Sequence, residues 1–418
     1  MSKTTQLHIG LFGFGSVGEG LYQVLRHTPT LKGEIKKVVI KHPDKLRNAP
    51  AALFTTEAEA ILNDEDLNVV VELIDDADAA YHIVKTALQK GKATVSANKK
   101  MIAEHLPELL ELQRIHNVPF LYESAACASI PVIRNLEEYY DNDLLHGLQG
   151  IVNGSTNYIL TKIATEGMSF ADALRQAQIA GFAESNPSLD VNGIDAVNKL
   201  AILLVHAYGI VSNPQAIVHT GIQYLQSGNA VVAREKGYVI KLLAQARKLK
   251  GGKVAAFVMP QFVPAGQLLA SVSNEYNGVV IESSLAENQF FYGKGAGGVA
   301  TASAVLSDLS ALRYGYRYEY KKRYDQAPSE LSNDFYLRVY MSFEGVPEIP
   351  YSQFEQVEEW SSTGRRSTIT GILHVSKLLD TSWWQNEKTS IILYPDAILE
   401  TLPAEVEDLI FSEPVWSL

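Results

Sequence analysis

Residues 7–27 read LHIGLFGFGSVGEGLYQVLRH. Leu7 to Phe12 is an apolar run of strand length, and residues 19–27 carry helical spacing, so the stretch predicts strand, turn, helix. The turn is Gly13-Phe14-Gly15-Ser16-Val17-Gly18, a G-x-G-x-x-G. In that setting the first glycine makes the tight turn and the second lets a pyrophosphate approach the backbone. The third lets helix and strand pack closely. The helix start adds free N–H groups and the positive end of its dipole. A glycine-rich turn with no ligand is the plainer alternative, but the flanking pattern favours a dinucleotide site.

Outward from this stretch, residues 36–40 (KKVVI), 68–74 (NVVVELI) and 92–96 (KATVS) are short β-rich runs. Helix-like stretches such as 78–89 (DAAYHIVKTALQ) separate them. Alternation at this spacing predicts a parallel, doubly wound sheet. From about 132 the segments lengthen, with an apolar helix at 194–208 (IDAVNKLAILLVHAY). The glycine cluster 293–298 opens another helix over 300–312. All four tryptophans, Trp360, Trp383, Trp384 and Trp416, lie beyond residue 350, which marks a third module starting near 325.

The chain has 418 residues, enough for two or three domains at about 150 residues each. Its 47 acidic and 36 basic side chains give a net charge of −11, which argues against a nucleic-acid surface. The apolar stretch at the N-terminus is broken by glycines, unlike a signal peptide. Leu200 to Val211 is too short for the roughly 20 residues of a membrane span. A cytoplasmic protein with no membrane or nucleic-acid partner is expected. The single cysteine, Cys127, excludes an internal disulfide and fits a reducing compartment.

Which dinucleotide binds turns on the end of the second strand. NAD sites place Asp or Glu about 20 residues after the glycines, on the ribose 2′-OH. Here residues 36–43 read KKVVIKHP, with no carboxylate before Asp44. Lys41, His42, Lys45 and Arg47 are available for a 2′-phosphate instead, which favours NADP over NAD; a solvated basic loop is the alternative.

The chemistry concentrates in residues 177–199, AQIAGFAESNPSLDVNGIDAVNK. Asp195 and Lys199 stand at i, i+4 on one helix face. That spacing usually means a surface ion pair. The rest of this helix is almost wholly apolar, however, so its charged start should face a cleft. Glu184 and Asp190 bring two further carboxylates to the same place.

This segment resembles the signature of homoserine dehydrogenases. It is matched by Ala177, Gly181, Phe182, Ala183, Glu184, Asn186, Pro187, Asp190, Val191, Gly193, Asp195 and Lys199. Ser96-Ala97-Asn98-Lys99-Lys100, residues 150–158 (GIVNGSTNY) and residues 293–308 (GKGAGGVATASAVLSD) are similar to other motifs of that family. The resemblance covers residues 7 to about 312. It implies reversible NAD(P)-dependent hydride transfer between L-homoserine and L-aspartate 4-semialdehyde, in threonine, methionine and isoleucine biosynthesis.

By the same resemblance Lys199 is the acid/base, a role open to a lysine whose pKa is brought toward neutrality. Lys99 is a second lysine near the reacting oxygen, and proximity of the two would help lower a pKa. Glu184, Asp195, Asp190 and Ser155 bind substrate; Ser155 stands where the family usually has Thr. Gly13, Phe14, Gly15, Ser16, Val17, Gly18, Lys41, Asn98, Lys99 and Gly295 line the cofactor. The implied architecture is α/β. A Rossmann-type domain (1–132, completed by 299–322) is followed by an α+β substrate and dimerisation domain (133–298). An ACT-like α+β module (325–418) closes the chain, and a homodimer or homotetramer is implied.

Three departures from the family pattern stand out. Asp75-Asp76 occupy positions where the family often has Gly-Gly, which puts negative charge near the cofactor. In Glu123–Pro131 (ESAACASIP), Cys127 and Ser129 replace two glycines of a loop that binds a monovalent cation such as Na+ through backbone carbonyls. Glu123, Ala126, Ala128 and Ile130 are the corresponding positions. Cys127 reads as a small buried hydrophobe rather than a reactive thiol. In the tail, 335–343, 368–378 and 389–394 read as strands and 351–360 as a helix. The expected effector turn is replaced by Glu344 to Pro350, where two prolines break the helix start and argue against effector binding. The competing readings are a non-catalytic NADP-binding regulator and another amino-acid or semialdehyde dehydrogenase. Retention of Lys99, Glu184, Asp195 and Lys199 together favours the enzyme.

Overall fold

The computed structural model describes residues 6–141, 144–325, 329–345 and 350–403. Trp416 and positions 346–349 of the turn singled out above lie outside the described residues. The N-terminal half runs β1 (Leu7–Phe12), α1 (Ser16–His27), β2 (Gly33–Val39), β3 (Phe54–Thr55), α2 (Glu59–Leu62), β4 (Val69–Glu72), α3 (Ala77–Gln89), β5 (Ala93–Ser96), α4 (Lys99–His116) and β6 (Phe120–Leu121). The strands form one sheet in the order β3-β2-β1-β4-β5-β6, every pair parallel. All four residues of β4 are buried, as expected of a strand covered on both faces. The strand order reverses between β1 and β4. In open α/β sheets the crevice beyond the carboxyl ends at such a point takes the ligand.

A connecting layer follows: α5 (Ser124–Cys127), α6 (Val132–Glu138), β7 (Leu145–Ile151), α7 (Gly154–Glu166), α8 (Phe170–Ile179), α9 (Ser188–Val191) and α10 (Ile194–Tyr208). Next come β8 (Val218–His219), α11 (Ser227–Glu235), β9 (Tyr238–Lys248), β10 (Val254–Pro264), β11 (Tyr276–Ser283) and β12 (Glu287–Lys294). The helix expected at 194–208 forms over those residues, and every residue from Asp195 to Tyr208 is buried. An apolar surface around the whole circumference demands that burial. It lies between sheet strands β9 and β10 on one side and α4 on the other. After β12, α12 (Gly298–Leu312) returns to pack on α1, and α13 (Lys321–Tyr324) ends this part.

The tail differs from expectation. Its described strands are β13 (Tyr336–Glu344), β14 (Gln356–Ser362), β15 (Arg366–His374) and β16 (Thr389–Leu399). The helix expected over 351–360 is a 3-10 turn, Tyr351–Gln353, followed by strand β14. The strand expected over 368–378 stops at His374 and gives way to a 3-10 turn. Among the described residues the tail holds no α-helix, so the α+β character expected there is replaced by strands. These strands continue the second sheet, ordered β12-β11-β7-β9-β10-β16-β13-β15-β14, with β8 on β10. Trp384 is buried in their core with Phe335, Leu337 and Met341.

Candidate active site

The glycine turn has the geometry its sequence demands. Gly13 has φ of +93°, and a Cβ there would stand 2.6 Å from the Leu73 carbonyl oxygen. A Cβ on Gly18 would stand 2.3 Å from the Gly13 oxygen, so helix and turn close only with glycine. Gly15 is different: nothing lies within 4 Å of where its Cβ would be. That open side, at the start of α1, is the room a pyrophosphate needs, so these residues fit a dinucleotide. Phe14 points away, packing edge-on against Tyr22 and Phe54.

Beyond β2, Lys41, His42 and Lys45 are exposed, and Ile40, Lys45, Arg47 and Phe54 line an open cavity of about 530 Å³. Arg47 organises this loop. Its guanidinium donates to the His42 and Lys45 carbonyls at 2.7 and 2.6 Å and lies over the Phe54 ring. Of the other three basic groups expected there, Lys45 lines the cavity, and Lys41 and His42 are exposed just before it in the chain.

At the crevice beyond β1 and β4 lies a second cavity of about 250 Å³. Its walls come from both halves of the chain: Val17, Leu73 and Asp75 on one side, Asp190, Asp195 and Lys199 on the other. The chain's return segment, Gly295 to Gly297, closes it, and Lys99, Ser155, Ala126 and Ala128 complete the lining. The sequence-predicted groups from α4, α7, α9 and α10 therefore converge on one space.

Asp195 is the hub. Its two carboxylate oxygens meet Lys99 Nζ at 2.8 Å and Lys199 Nζ at 2.9 Å. Asn153 Nδ2 donates to Asp195 at 2.8 Å and to Asp190 at 2.7 Å. Burial alone would raise the Asp195 carboxyl, but Lys199 and Lys99 outweigh it and hold it well below the usual range. Asp195 in turn raises Lys99 above the ordinary lysine value. The mutual lowering expected from two adjacent lysines does not operate on Lys99, because a carboxylate bridges them. Lys199, 7% exposed, also donates to the Val152 carbonyl at 2.6 Å.

Asn153 was not among the residues singled out from sequence, although the Asn-Gly-Ser-Thr run that opens α7 carries its signal. Its Oδ1 caps that helix through the Thr156 N–H, which frees its amide N–H groups for the two aspartates. Ser155 Oγ donates to the Phe182 carbonyl at 2.5 Å. Asn98 caps α4 through the Met101 N–H and donates to the Ile74 carbonyl, which fixes where Lys99 starts. Beneath it, buried Glu72 accepts from Ser96 Oγ at 2.5 Å and from Ile74 N at 2.6 Å. Burial pushes that carboxyl up to about 7. Glu184 is exposed and is not among the residues lining the cavity, although its charge reaches Lys99.

The loop from Glu123 is arranged differently from what its glycine substitutions suggest. Positive φ, +45°, falls on Ala128 rather than on Cys127 or Ser129. The Glu123 carboxylate accepts the Ile133 and Arg134 N–H groups at 2.8 Å each, and the Ile130 carbonyl accepts from Val132. Among the described residues no group of three His, Cys, Asp or Glu could hold a metal ion. A monovalent cation would therefore rest on the carbonyls of Glu123, Ala126, Ala128 and Ile130, one of them already engaged. No step below is routed through it. Cys127 is buried, and burial pushes its thiol up to about 12, as expected of a packing residue.

A family model described as homoserine dehydrogenase matches residues 131–310, and one described as the homoserine dehydrogenase NAD binding domain matches residues 13–123. A homoserine dehydrogenase of Synechocystis is 38% identical over 311 residues, 72% of each chain. One of Helicobacter pylori is 32% identical over 404 residues, 92% of this chain and 94% of that one, which takes in much of the tail. A solved homoserine dehydrogenase from Thiobacillus denitrificans superposes with a TM-score of 0.82 at 27% identity, covering 93% of this chain and 98% of its own. With both domains in order along the chain and relatives of this identity over most of their length, the chain belongs to the homoserine dehydrogenase family.

Proposed function

We propose that this oxidoreductase interconverts L-homoserine and L-aspartate 4-semialdehyde with NADP(H), in threonine, methionine and isoleucine biosynthesis. The observation that carries the reading is the Lys99–Asp195–Lys199 bridge at a cavity shared with the glycine turn. The nicotinamide, when bound, accepts or donates the hydride.

Lys199 handles the proton. Two of the positions around its Nζ are taken by acceptors, the Val152 carbonyl and Asp195. Lys199 also lines the cavity, which leaves its third position for the substrate. As the neutral amine, Lys199 presents a lone pair there to take the hydroxyl proton of homoserine; as the ammonium it returns that proton to the aldehyde oxygen. Asp195, held ionised, keeps the acceptor geometry in both states. Lys99, held protonated, sets positive charge beside the reacting oxygen. Asp190 and Asp195, oriented by Asn153, and Glu184, whose charge reaches Lys99, suit the ammonium group of the substrate. Ser155 contributes a hydroxyl at the start of α7. Gly13, Gly15, Ser16 and Gly18 hold the pyrophosphate, with Val17, Asn98, Lys99 and Gly295 toward the nicotinamide end. Lys41, with His42 and Lys45, takes the 2′-phosphate and selects NADP.

The test is spectrophotometry at the nicotinamide absorbance with homoserine, and in reverse with aspartate semialdehyde, each with NADP(H) and NAD(H). Turnover of both substrates, faster with NADP(H), is expected. No change with either substrate would overturn the reading.

A further inference from the structure

We infer that Asp75 makes the site discriminate between the redox states of its nucleotide, holding the oxidised form more tightly than the reduced form. The inference rests on the nucleotide-binding reading above.

Asp75 and Asp76 follow β4 directly and have opposite fates. Asp76 is spent on structure: it caps α3, its side chain accepting the Ala79 N–H at 3.0 Å. Asp75 is exposed, lines the cavity, and has no hydrogen-bond or ion-pair partner among the described residues. Its charge is felt nearby, since it adds to the upward push on Glu72.

The charges around the cavity do not balance. Three carboxylates line it, Asp75, Asp190 and Asp195, against the two ammonium groups of Lys99 and Lys199. The Lys99–Asp195–Lys199 bridge carries one positive charge in excess, which Asp190 offsets with Glu184 acting on Lys99 from outside the lining, so among the lining carboxylates it is Asp75 that has no cationic partner. Homoserine and aspartate semialdehyde are both zwitterions of zero net charge, and neither neutralises it preferentially. The nucleotide does. Oxidised and reduced forms share every phosphate and both riboses, but the oxidised ring carries one positive charge that the reduced ring lacks. A nucleotide seated on the glycine turn that also reacts beside Lys199 must place that ring in this cavity, beyond the ends of β1 and β4. A lone carboxylate there attracts one redox state and is indifferent to the other.

The experiment measures Kd for NADP+ and for NADPH, without substrate, on the full-length protein and on Asp75→Asn and Asp75→Gly. Asparagine keeps the shape and removes the charge; glycine removes both. A unit charge pair separated by several ångströms in a partly hydrated cleft predicts that the ratio Kd(NADP+)/Kd(NADPH) rises about 3- to 10-fold in both variants. The same factor should appear for NAD+ and NADH, because the difference lies in the ring. Asp75→Glu should restore most of the original ratio. Equal changes in both Kd values, or none, would overturn the inference. Failure of the parent reading is separate: loss of homoserine turnover in the unmodified protein, with the ratio still sensitive to Asp75, would sink only the substrate assignment.

Discussion

Replacing Glu72 by glutamine should change how stability depends on pH. Glu72 is fully buried at the end of β4, and burial, its largest influence, raises its carboxyl from 4.5 to about 7. The folded state thus binds this proton more tightly than the unfolded state, so stability falls as pH rises from about 4.5 to about 7 and levels off above. At about 1.4 kcal/mol per pH unit, the loss between pH 5 and pH 8 is about 2.5 kcal/mol. Glutamine fits the same bonds: its Oε1 accepts from Ile74 N, and its Nε2 donates to Ser96 Oγ in place of the hydroxyl donating to the carboxylate. With nothing to ionise, Glu72→Gln should escape that loss. Urea unfolding followed by far-ultraviolet circular dichroism would show the variant gaining on the parent as pH rises, by about 1 M in midpoint at pH 8 relative to pH 5 for an m of 2–3 kcal/mol/M. Parallel pH profiles, with a constant gap, would refute the reasoning.

Lys199→Ala should lower kcat at least about 1,000-fold in both directions, as the proton loses its carrier, while Kd for NADPH measured by fluorescence changes little. Asp195→Asn leaves two ammonium groups without their shared counter-ion and should cost about 3–5 kcal/mol of stability, read as a large fall in the urea midpoint. An unchanged midpoint would mean the bridge is not formed in solution. Lys41→Glu should raise KM for NADPH at least about tenfold and leave KM for NADH within about twofold, since only the 2′-phosphate meets that charge. Threonine added to the assay should leave the rate unchanged, in keeping with the two prolines, Pro347 and Pro350, that follow β13 in the sequence; strong inhibition would assign the tail a sensing role.

Much of this is legible in local sequence. The glycine turn, the βα alternation and the buried helix at 194–208 are local patterns, and each forms where its spacing places it. The segment 351–360 was not legible. Gln356-Val-Glu-Glu-Trp360 carries no strong periodicity, and its conformation comes from pairing with β15. As an edge strand it tolerates Glu359 facing water, which also blunts the open edge, while half-buried Glu358 pairs with Arg338. The continuity of the tail with the second sheet was equally hidden, because it rests on a parallel pairing of Gln261 with Leu393 across 132 residues of chain.

The chemistry on offer is written in local sequence: a glycine turn with room for a pyrophosphate, a buried helix with Asp195 and Lys199 at its head, and an A-N-K strand end. Spacing along a helix or strand fixes such pairs because the backbone geometry is regular. Tertiary packing decided which groups act on one another. It brought Lys99 on α4 to the opposite oxygen of the carboxylate that holds Lys199 on α10, and so held Lys99 charged. It made Asn153 the link between two aspartates, left Glu184 off the cavity wall, and spent Asp76 on a helix cap while leaving Asp75 unpaired in the cavity. Those outcomes depend on distances between residues far apart in the chain, which electrostatics reads in ångströms and the sequence does not encode locally.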